Sequence, residues 1–340
     1  MIIYFSTVVR SAPLHLGGEL VKLDWDRKEI LGRTQIVPND PMIHDLNPRG
    51  GTRGGRGILV KNGEVYTASY HTLHVFDRTL QPLRPISNRL FAGLHELCWD
   101  GDAIWATATS TGGALRVSQD GETLRTWWAR EDPVLVKHFD LSPHPFPKDR
   151  DNRLIDLAEA DKDRSHVHLN AITMLDGRPL ALLNRLGCLV KLYPTEIVVH
   201  DPSLRGCHNI LVTSDRQLVI NDTVNRAVAI YDAEGSLVQR IELKRYRLVR
   251  KILLRWGLRT ARLWLGKHCP SHRIEQLLVR NISASRPVFV RGLAETDRGT
   301  LLVGISPATI LEIEKHTQEL VDSYSYSNNV NVCVHGLTCA

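Results

Sequence analysis

The sequence predicts an all-β fold: a six-bladed β-propeller with N/C-terminal strand closure and a basic helical insertion between blades five and six. Three observations predict it. Five segments repeat one strand grammar, their starts are one regular interval or one interval plus an insertion apart, and the chain ends on an opening phrase that its beginning lacks. Four-stranded units of about 40 residues are the mark of propeller blades.

The repeats open RGILVKNGEVYTASY at Arg56, HELCWDGDAIWATAT at His95, LNAITMLDGRPLALLN at Leu169, HNILVTSDRQLVIND at His208 and RGLAETDRGTLLVGI at Arg291. Each reads strand, D/N-G-type turn, strand. The third strands follow as TLHVFD, GALRVSQDG, GCLVKLY, AVAIYDAEG and TILEIEK. Apolar runs of four to eight residues bounded by turn signals are strands. Arg56 to His95 is 39 residues, as is Leu169 to His208; Arg291 to His335 is 44, and the intervals of 74 and 83 each hold an insertion. His335-Gly336-Leu337 matches the opening phrase, and the chain stops after that one strand. Its start, IIYFSTVV, ELVKLDWD and ILGRTQIV, supplies the missing three. Blade one is therefore 330–340 plus 1–37, and the others fall at 53–87, 92–128, 165–200, 205–243 and 288–323. Insertions span 129–164 and 244–287. Closing the ring removes the open sheet edges. Asp24, Asp77 and Asp232, each after a third strand, are expected to serve turns.

Composition fits this fold and excludes others. Of 340 residues, 43% are hydrophobic and 24% charged, the balance of a globular chain rather than a disordered or fibrous one. No apolar run approaches the ~20 residues of a spanning helix. MIIYFSTVVRSAP has no basic region ahead of its apolar stretch and reads as a strand rather than a signal peptide. Six cysteines without a CxxC pair predict free thiols in a reducing compartment, hence a cytoplasmic location.

The innermost strand of each blade lines the channel, so the six opening residues should share one height on the axis. They are Arg56, His95, Leu169, His208, Arg291 and His335. Three imidazoles from alternate blades then converge. They suit a divalent metal, Zn²⁺ or Fe²⁺ foremost, with positions left for water or substrate. His168 neighbours the fourth ring position, and a one-residue bulge would put it, or Asn170, there in place of Leu169. Arg56 and Arg291 either bond strand-end carbonyls or clamp a carboxylate, phosphate or sulfate. Glu96 and Asn209 face away under strict strand alternation and reach the site only if the strand starts are irregular.

The repeat grammar resembles the six-bladed propellers of the NHL-repeat and strictosidine-synthase/gluconolactonase superfamily. Three histidines on alternate blades are similar to the zinc site of the peptidyl-hydroxyglycine amidating lyases. That resemblance implies His95, His208 and His335 as ligands and Arg56 as the substrate-facing arginine. Tyr66 and Tyr70 are the tyrosines on the next strand.

Three long connections, from Pro38 to Thr52, Ala129 to His166 and Lys244 to Pro287, are placed on the His/Arg face as candidate lids. The first is a loop. The second is irregular, with a short helix over Asn152–Ala160, and its His138 and His144 read as loop residues. The third holds twelve Lys/Arg against the single Glu275, a net +11 in 44 residues. The whole chain carries +6, which leaves −5 on the other 296. Arg247, Lys251, Arg255, Arg259 and Arg262 form a basic helical stripe; Val249, Ile252, Leu253, Trp256, Leu263 and Trp264 form an apolar one. Gly257 weakens or kinks this helix, and Ser271 caps a second running to about Arg280. A basic helix with Trp and Leu opposite resembles an interfacial membrane-docking helix, which would put the protein at the inner membrane face. Aromatic residues interleaved for base stacking are sparse, which disfavours nucleic acid. GGTRGGRG, Gly50–Gly57, has no helix after it and is no phosphate loop, although Arg53 and Arg56 within it can still meet an anion.

Two function classes follow. One is a metal-dependent lyase, hydrolase or isomerase acting at the channel mouth on an anionic, lipid-like or small-molecule substrate. Here Arg56, Arg291 and Glu96 do the chemistry, His95, His208, His335 and His168 hold the metal, and Asn170 and Asn209 contact substrate. The other is a non-enzymatic scaffold recruited to an acidic partner or membrane by the basic helix.

Overall fold

The computed structural model describes residues 1–10, 12, 17–37, 52–146, 148–267 and 287–340; the side chains of residues 52, 53, 259 and 262–267 are not described. The chain forms six antiparallel sheets in a ring. Blade one holds β1 (Ile2–Arg10), β2 (Glu19–Asp24) and β3 (Glu29–Gln35), and a short β4 (Thr52–Gly54) also pairs with β1. Blade two is β5 (Ile58–Lys61), β6 (Glu64–Ala68), β7 (Thr72–Asp77) and β8 (Pro82–Ser87). Blade three is β9 (Leu94–Trp99), β10 (Ile104–Ala108), β11 (Gly113–Val117) and β12 (Thr123–Trp128). Two helices, α1 (Pro133–Phe139) and α2 (Leu157–Ala160), precede blade four: β13 (Leu169–Leu175), β14 (Arg178–Leu183), β15 (Cys188–Lys191) and β16 (Glu196–His200). Blade five is β17 (His208–Val212), β18 (Leu218–Asp222), β19 (Ala227–Tyr231) and β20 (Leu237–Glu242). After α3 (Arg247–Lys267), blade six is β21 (Leu293–Glu295), β22 (Leu301–Ile305), β23 (Thr309–Ile313) and β24 (Leu320–Ser325). The last strand, β25 (Val332–Cys339), returns to blade one as its innermost strand, in the order β25-β1-β2-β3.

The closure is a full antiparallel ladder, with Ile3 opposite Cys339, Phe5 opposite Leu337 and Thr7 opposite Val334. Ser6 fastens it to blade two: its hydroxyl donates to the Arg56 carbonyl at 2.6 Å and accepts from Gly336 N at 2.9 Å. Only glycine fits at 336, because a Cβ there would stand 2.2 Å from the Arg56 carbonyl oxygen.

The core is the set of seams between neighbouring blades. Leu73, Leu94 and Leu115 join blades two and three, Leu169, Leu183 and Trp105 join three and four, and Leu180, Ile220 and Tyr231 join four and five. Val228, Val290 and Leu311 join five and six; Ile3, Trp25 and Ile310 join six and one; Tyr4, Leu20 and Val65 join one and two. Middle strands such as β18, β19 and β22 are buried throughout, which matches their continuous apolar runs. The outer strand β3 is largely exposed, and β20 is exposed or half-buried except at Ile241.

The turn aspartates serve as expected: Asp24 accepts from Asp26 N and Arg27 N, Asp77 from Thr79 N and Gln81 N, and Asp232 from Ser236 N. The five described cysteines are free, and no described helix is long and apolar enough to cross a membrane.

The insertions correct the sequence expectation in three places. The irregular stretch after Ala129 contains α1, capped by the Asp132 side chain accepting from Val134 N and Leu135 N with Pro133 in its first turn. The short helix expected over Asn152–Ala160 is one turn, Leu157–Ala160. α3 runs unbroken through Gly257, and among its described side chains those of the first turns dock. Val249 is fully buried in the seam of blades five and six, with Leu248, Ile252 and Leu253 packed against it. Beyond them Leu254, Trp256 and Leu258 are exposed, so the expected apolar stripe does not continue onto the propeller at Trp256. The side chains of Arg259, Arg262, Leu263 and Trp264, the second helix expected from Ser271, and the connection from Pro38 to Gly51 lie outside the described residues.

Candidate functional site

Equivalent positions of the ring meet at the channel, as the repeat register requires. The His95 ring lies 4.5 Å from that of His335 and 5.5 Å from that of His208, centroid to centroid. All three side chains are buried. Burial, then the nearby Arg291 guanidinium, drives each imidazole well below its usual pKa, so the rings are neutral at pH 7.

Hydrogen bonding fixes the state of His208. The Thr223 hydroxyl donates to the Val290 carbonyl at 2.7 Å, so it accepts from His208 Nδ1 at 2.9 Å. His208 Nε2 then accepts from Arg291 Nη2, also at 2.9 Å. Both nitrogens of His208 are thus engaged. His95 hydrogen-bonds the Asn170 main chain and keeps Nδ1 buried without a partner. His335 is fully buried, and neither of its ring nitrogens has a partner among the described residues.

The two arginines differ. Arg56 donates Nη1 to the Leu94 carbonyl at 2.7 Å and sits 5.4 Å over the Tyr70 ring, an anchor on a strand end. Tyr66 instead bonds Glu64 at the outer side of its strand. Arg291 stacks 4.5 Å from the Phe289 ring, on which Arg10 also rests at 4.2 Å. Among the described residues no carboxylate pairs with Arg291, and its Nε is buried without a partner. Burial and the neighbouring Arg10 lower its pKa to about 9.

Glu96 and Asn209 turn inward, against strict alternation. The Asn209 amide donates to Glu96 Oε2 at 2.6 Å across the channel. The cause is backbone irregularity: Asn209 has φ +49°, and the ladder shifts between His208 and Ile210. Asn209 Oδ1 also accepts from Gly292 N and from the Asn221 amide. Burial raises the Glu96 carboxyl to about pKa 8, with the Asn209 bond opposing.

At the fourth ring position the ladder slips between Leu169 and Ala171. Leu169 is buried in the seam of blades three and four, and Asn170 donates to the Cys207 carbonyl. His168, at φ +50°, lines a cavity of about 350 Å³ with His208, Arg291, Thr223 and Phe289. Its Nδ1 lies 2.7 Å from Asp161 Oδ1, which His166 Nδ1 approaches at 2.9 Å. Asp161, His166 and His168 keep their donor atoms within 4.8 Å of one another, a group that could hold a metal ion. Among the described residues the ring histidines do not form such a group, although their rings converge. Sequence reasoning missed Asp161 and His166 because an insertion has no repeat register; the His-x-His spacing of 166 and 168 was the signal available.

Arg247, Lys251, Arg255 and Trp256 are exposed on α3, and the structure brings none of them into the ring of histidines.

No protein-family model matches the chain, and no curated protein matches it in sequence. Solved structures match its fold. A protein of unknown function from Bacteroides caccae aligns with TM-score 0.54 at 10% identity, covering 98% of each chain. Virginiamycin B lyase from Staphylococcus aureus aligns with TM-score 0.50 at 10% identity, covering 95% of this chain and 88% of that one.

Proposed function

We propose that this propeller is an enzyme of the metal-assisted lyase type, with hydrolysis and isomerisation as related outcomes, acting at the channel mouth on an anionic substrate. The observation that carries the reading is Arg291. A guanidinium held among neutral imidazoles with no carboxylate beside it is costly to desolvate, and an anion entering from the cavity offsets that cost. Such an anion accepts from Arg291 Nε and from the one protonated ring nitrogen of His335, while the free His95 Nδ1, a lone pair, can only accept. The same imidazoles, neutral at pH 7, are suited to take a proton from the bound substrate. Glu96, protonated below about pH 8, is the candidate acid to return one. A divalent cation, when bound, supplies Lewis-acid polarisation of a substrate oxygen or an activated water. The candidate holders are His95, His208, His335 and His168, or the group of Asp161, His166 and His168. One structure similar in fold, virginiamycin B lyase, is a lyase, which is an analogy of fold alone.

The test is anion binding read by thermal shift with phosphate, sulfate and malonate. The expected result is a rise in Tm that needs at least 10-fold more anion after Arg291→Gln or His335→Ala. Equal shifts in the parent and both variants would remove the anion pocket and the reading with it.

A second reading is favoured by α3. Its distal turns carry Leu254, Trp256 and Leu258 in the open beside Arg250, Lys251 and Arg255, with no acid in the helix. On this reading the propeller is a scaffold recruited to an anionic membrane surface.

A further inference from the structure

The insertion between blades three and four returns to the channel mouth as Asp161-Lys162-Asp163-Arg164-Ser165-His166-Val167-His168. Its path is fixed by hydrogen bonds rather than by repeat packing. Arg185 Nη1 donates to the carbonyls of Asp161 and Asp163 at 2.9 and 2.8 Å. Arg130 Nη1 pairs with Asp163 Oδ2 at 2.6 Å, and Asp163 Oδ1 accepts from Ser165 N. The stretch therefore presents its side chains from a braced backbone.

From this geometry we infer that Asp161 Oδ1, His166 Nδ1 and His168 Nδ1 together bind a first-row divalent cation. The inference rests on the metal-assisted reading above for its role, and it assigns the cation to this group while leaving the ring histidines to the anion.

The argument begins at the other end of His166. Its Nε2 lies 2.8 Å from the Thr109 carbonyl oxygen, which can only accept, so Nε2 carries the proton. A neutral imidazole protonated there has a lone pair on Nδ1. That lone pair, on a side chain only 4% exposed, points at an Asp161 oxygen 2.9 Å away whose own side chain is 36% exposed. Two lone pairs facing each other need a positive species between them. A cation answers the need, and the Thr109 carbonyl is the outer partner that orients a metal-binding histidine.

The distances fit. Donors about 2.1 Å from one ion lie about 3.0 Å apart at right angles and about 3.4 Å apart in a tetrahedron. The observed 2.9 and 2.7 Å to Asp161 Oδ1 match right-angled neighbours, and all three donor atoms lie within 4.8 Å of one another. Two imidazoles and one carboxylate leave the remaining positions to water or substrate, and imidazole with carboxylate suits Mn²⁺, Fe²⁺, Co²⁺ or Ni²⁺. His168 lines the cavity that also holds Arg291, so an anion there can reach both. The alternative occupant is a proton, which would make His166 an imidazolium paired with Asp161.

The experiment uses the full chain, stripped with chelator and titrated with Mn²⁺ and Co²⁺. Bound metal is counted after desalting, and Co²⁺ is followed by its visible absorption. The expected result is one equivalent per chain, with affinity lowered at least 10-fold in Asp161→Asn, His166→Gln and His168→Gln and unchanged in His95→Ala and His335→Ala. Broadening of the His166 and His168 ring signals by Mn²⁺ in the unmodified protein provides a readout that needs no variant. Metal lost in the ring variants and kept in Asp161→Asn overturns this assignment but leaves the metal-assisted reading standing. No binding to the unmodified chain overturns the assignment in favour of the proton and removes the metal from that reading, while the anion pocket is judged by its own thermal shifts.

Discussion

At the scale of the residue, Glu96 is the sharpest probe of the channel. Its native pKa of about 8 stands above the ordinary carboxyl value because burial disfavours its charge. Between those values the folded protein holds a proton that the unfolded chain has released. Stability contributed by this group is therefore present at low pH and lost as pH rises through the interval, levelling above about 8. Glu96→Gln imitates the protonated side chain and should remove that loss. Urea unfolding should show the variant about as stable as the parent at pH 5 and on the order of 2 kcal/mol more stable at pH 8.5. Parallel curves would mean that Glu96 is ionised in the fold. The inward turn of Glu96 was not legible from alternation, because the positive φ of Asn209 and the ladder shifts depend on contacts between blades. The convergence of His95, His208 and His335 was legible, since a repeat converts sequence position into height on an axis. His168 stood between two alternatives for the same reason: a bulge is invisible in a repeat count.

At the scale of the element, α1 and α3 show what local signals can and cannot say. Asp132 followed by Pro133 is a helix start, with Lys137 and His138 in the last turn favouring its end. The prolines after it concealed that signal. For α3 the periodicity gave a helix, but an apolar stripe does not state how far it is covered. Tyr246 and Val249 reach the seam of blades five and six, and the helix then leaves the surface. The exposed turns are cationic and apolar at once, so their energetics with an anionic bilayer combine attraction of about 1 kcal/mol per basic residue with burial of Trp256 and Leu258. Vesicles of mixed zwitterionic and anionic lipid should sediment the protein, and purely zwitterionic vesicles should not. Replacing Arg250, Lys251 and Arg255 by Glu should abolish sedimentation without lowering Tm, because these side chains are exposed. Equal sedimentation with both lipids would remove the electrostatic part of this reading.

At the scale of the whole molecule, the ring was the most legible feature, because the last strand and the first segment each lack what the other has. What the sequence did not disclose is how closely the seam fits. Gly336→Ala would place a methyl group 2.2 Å from the Arg56 carbonyl and 2.7 Å from Ser6 Oγ. Both neighbours belong to the closure, so the clash should cost about 2–4 kcal/mol and lower Tm by several degrees in a scanning calorimeter. A variant as stable as the parent would show that blades one and two can part there without loss. The same strand carries His335, fully buried, against the ring of His95. During synthesis this histidine leaves the ribosome after its five partners in the circle, so a nascent chain can hold five blades and still lack a working receptor. On the proposed reading, ligand capture and annealing of the final strand are thermodynamically linked events: whatever occupies the centre resists the unzipping of the rim.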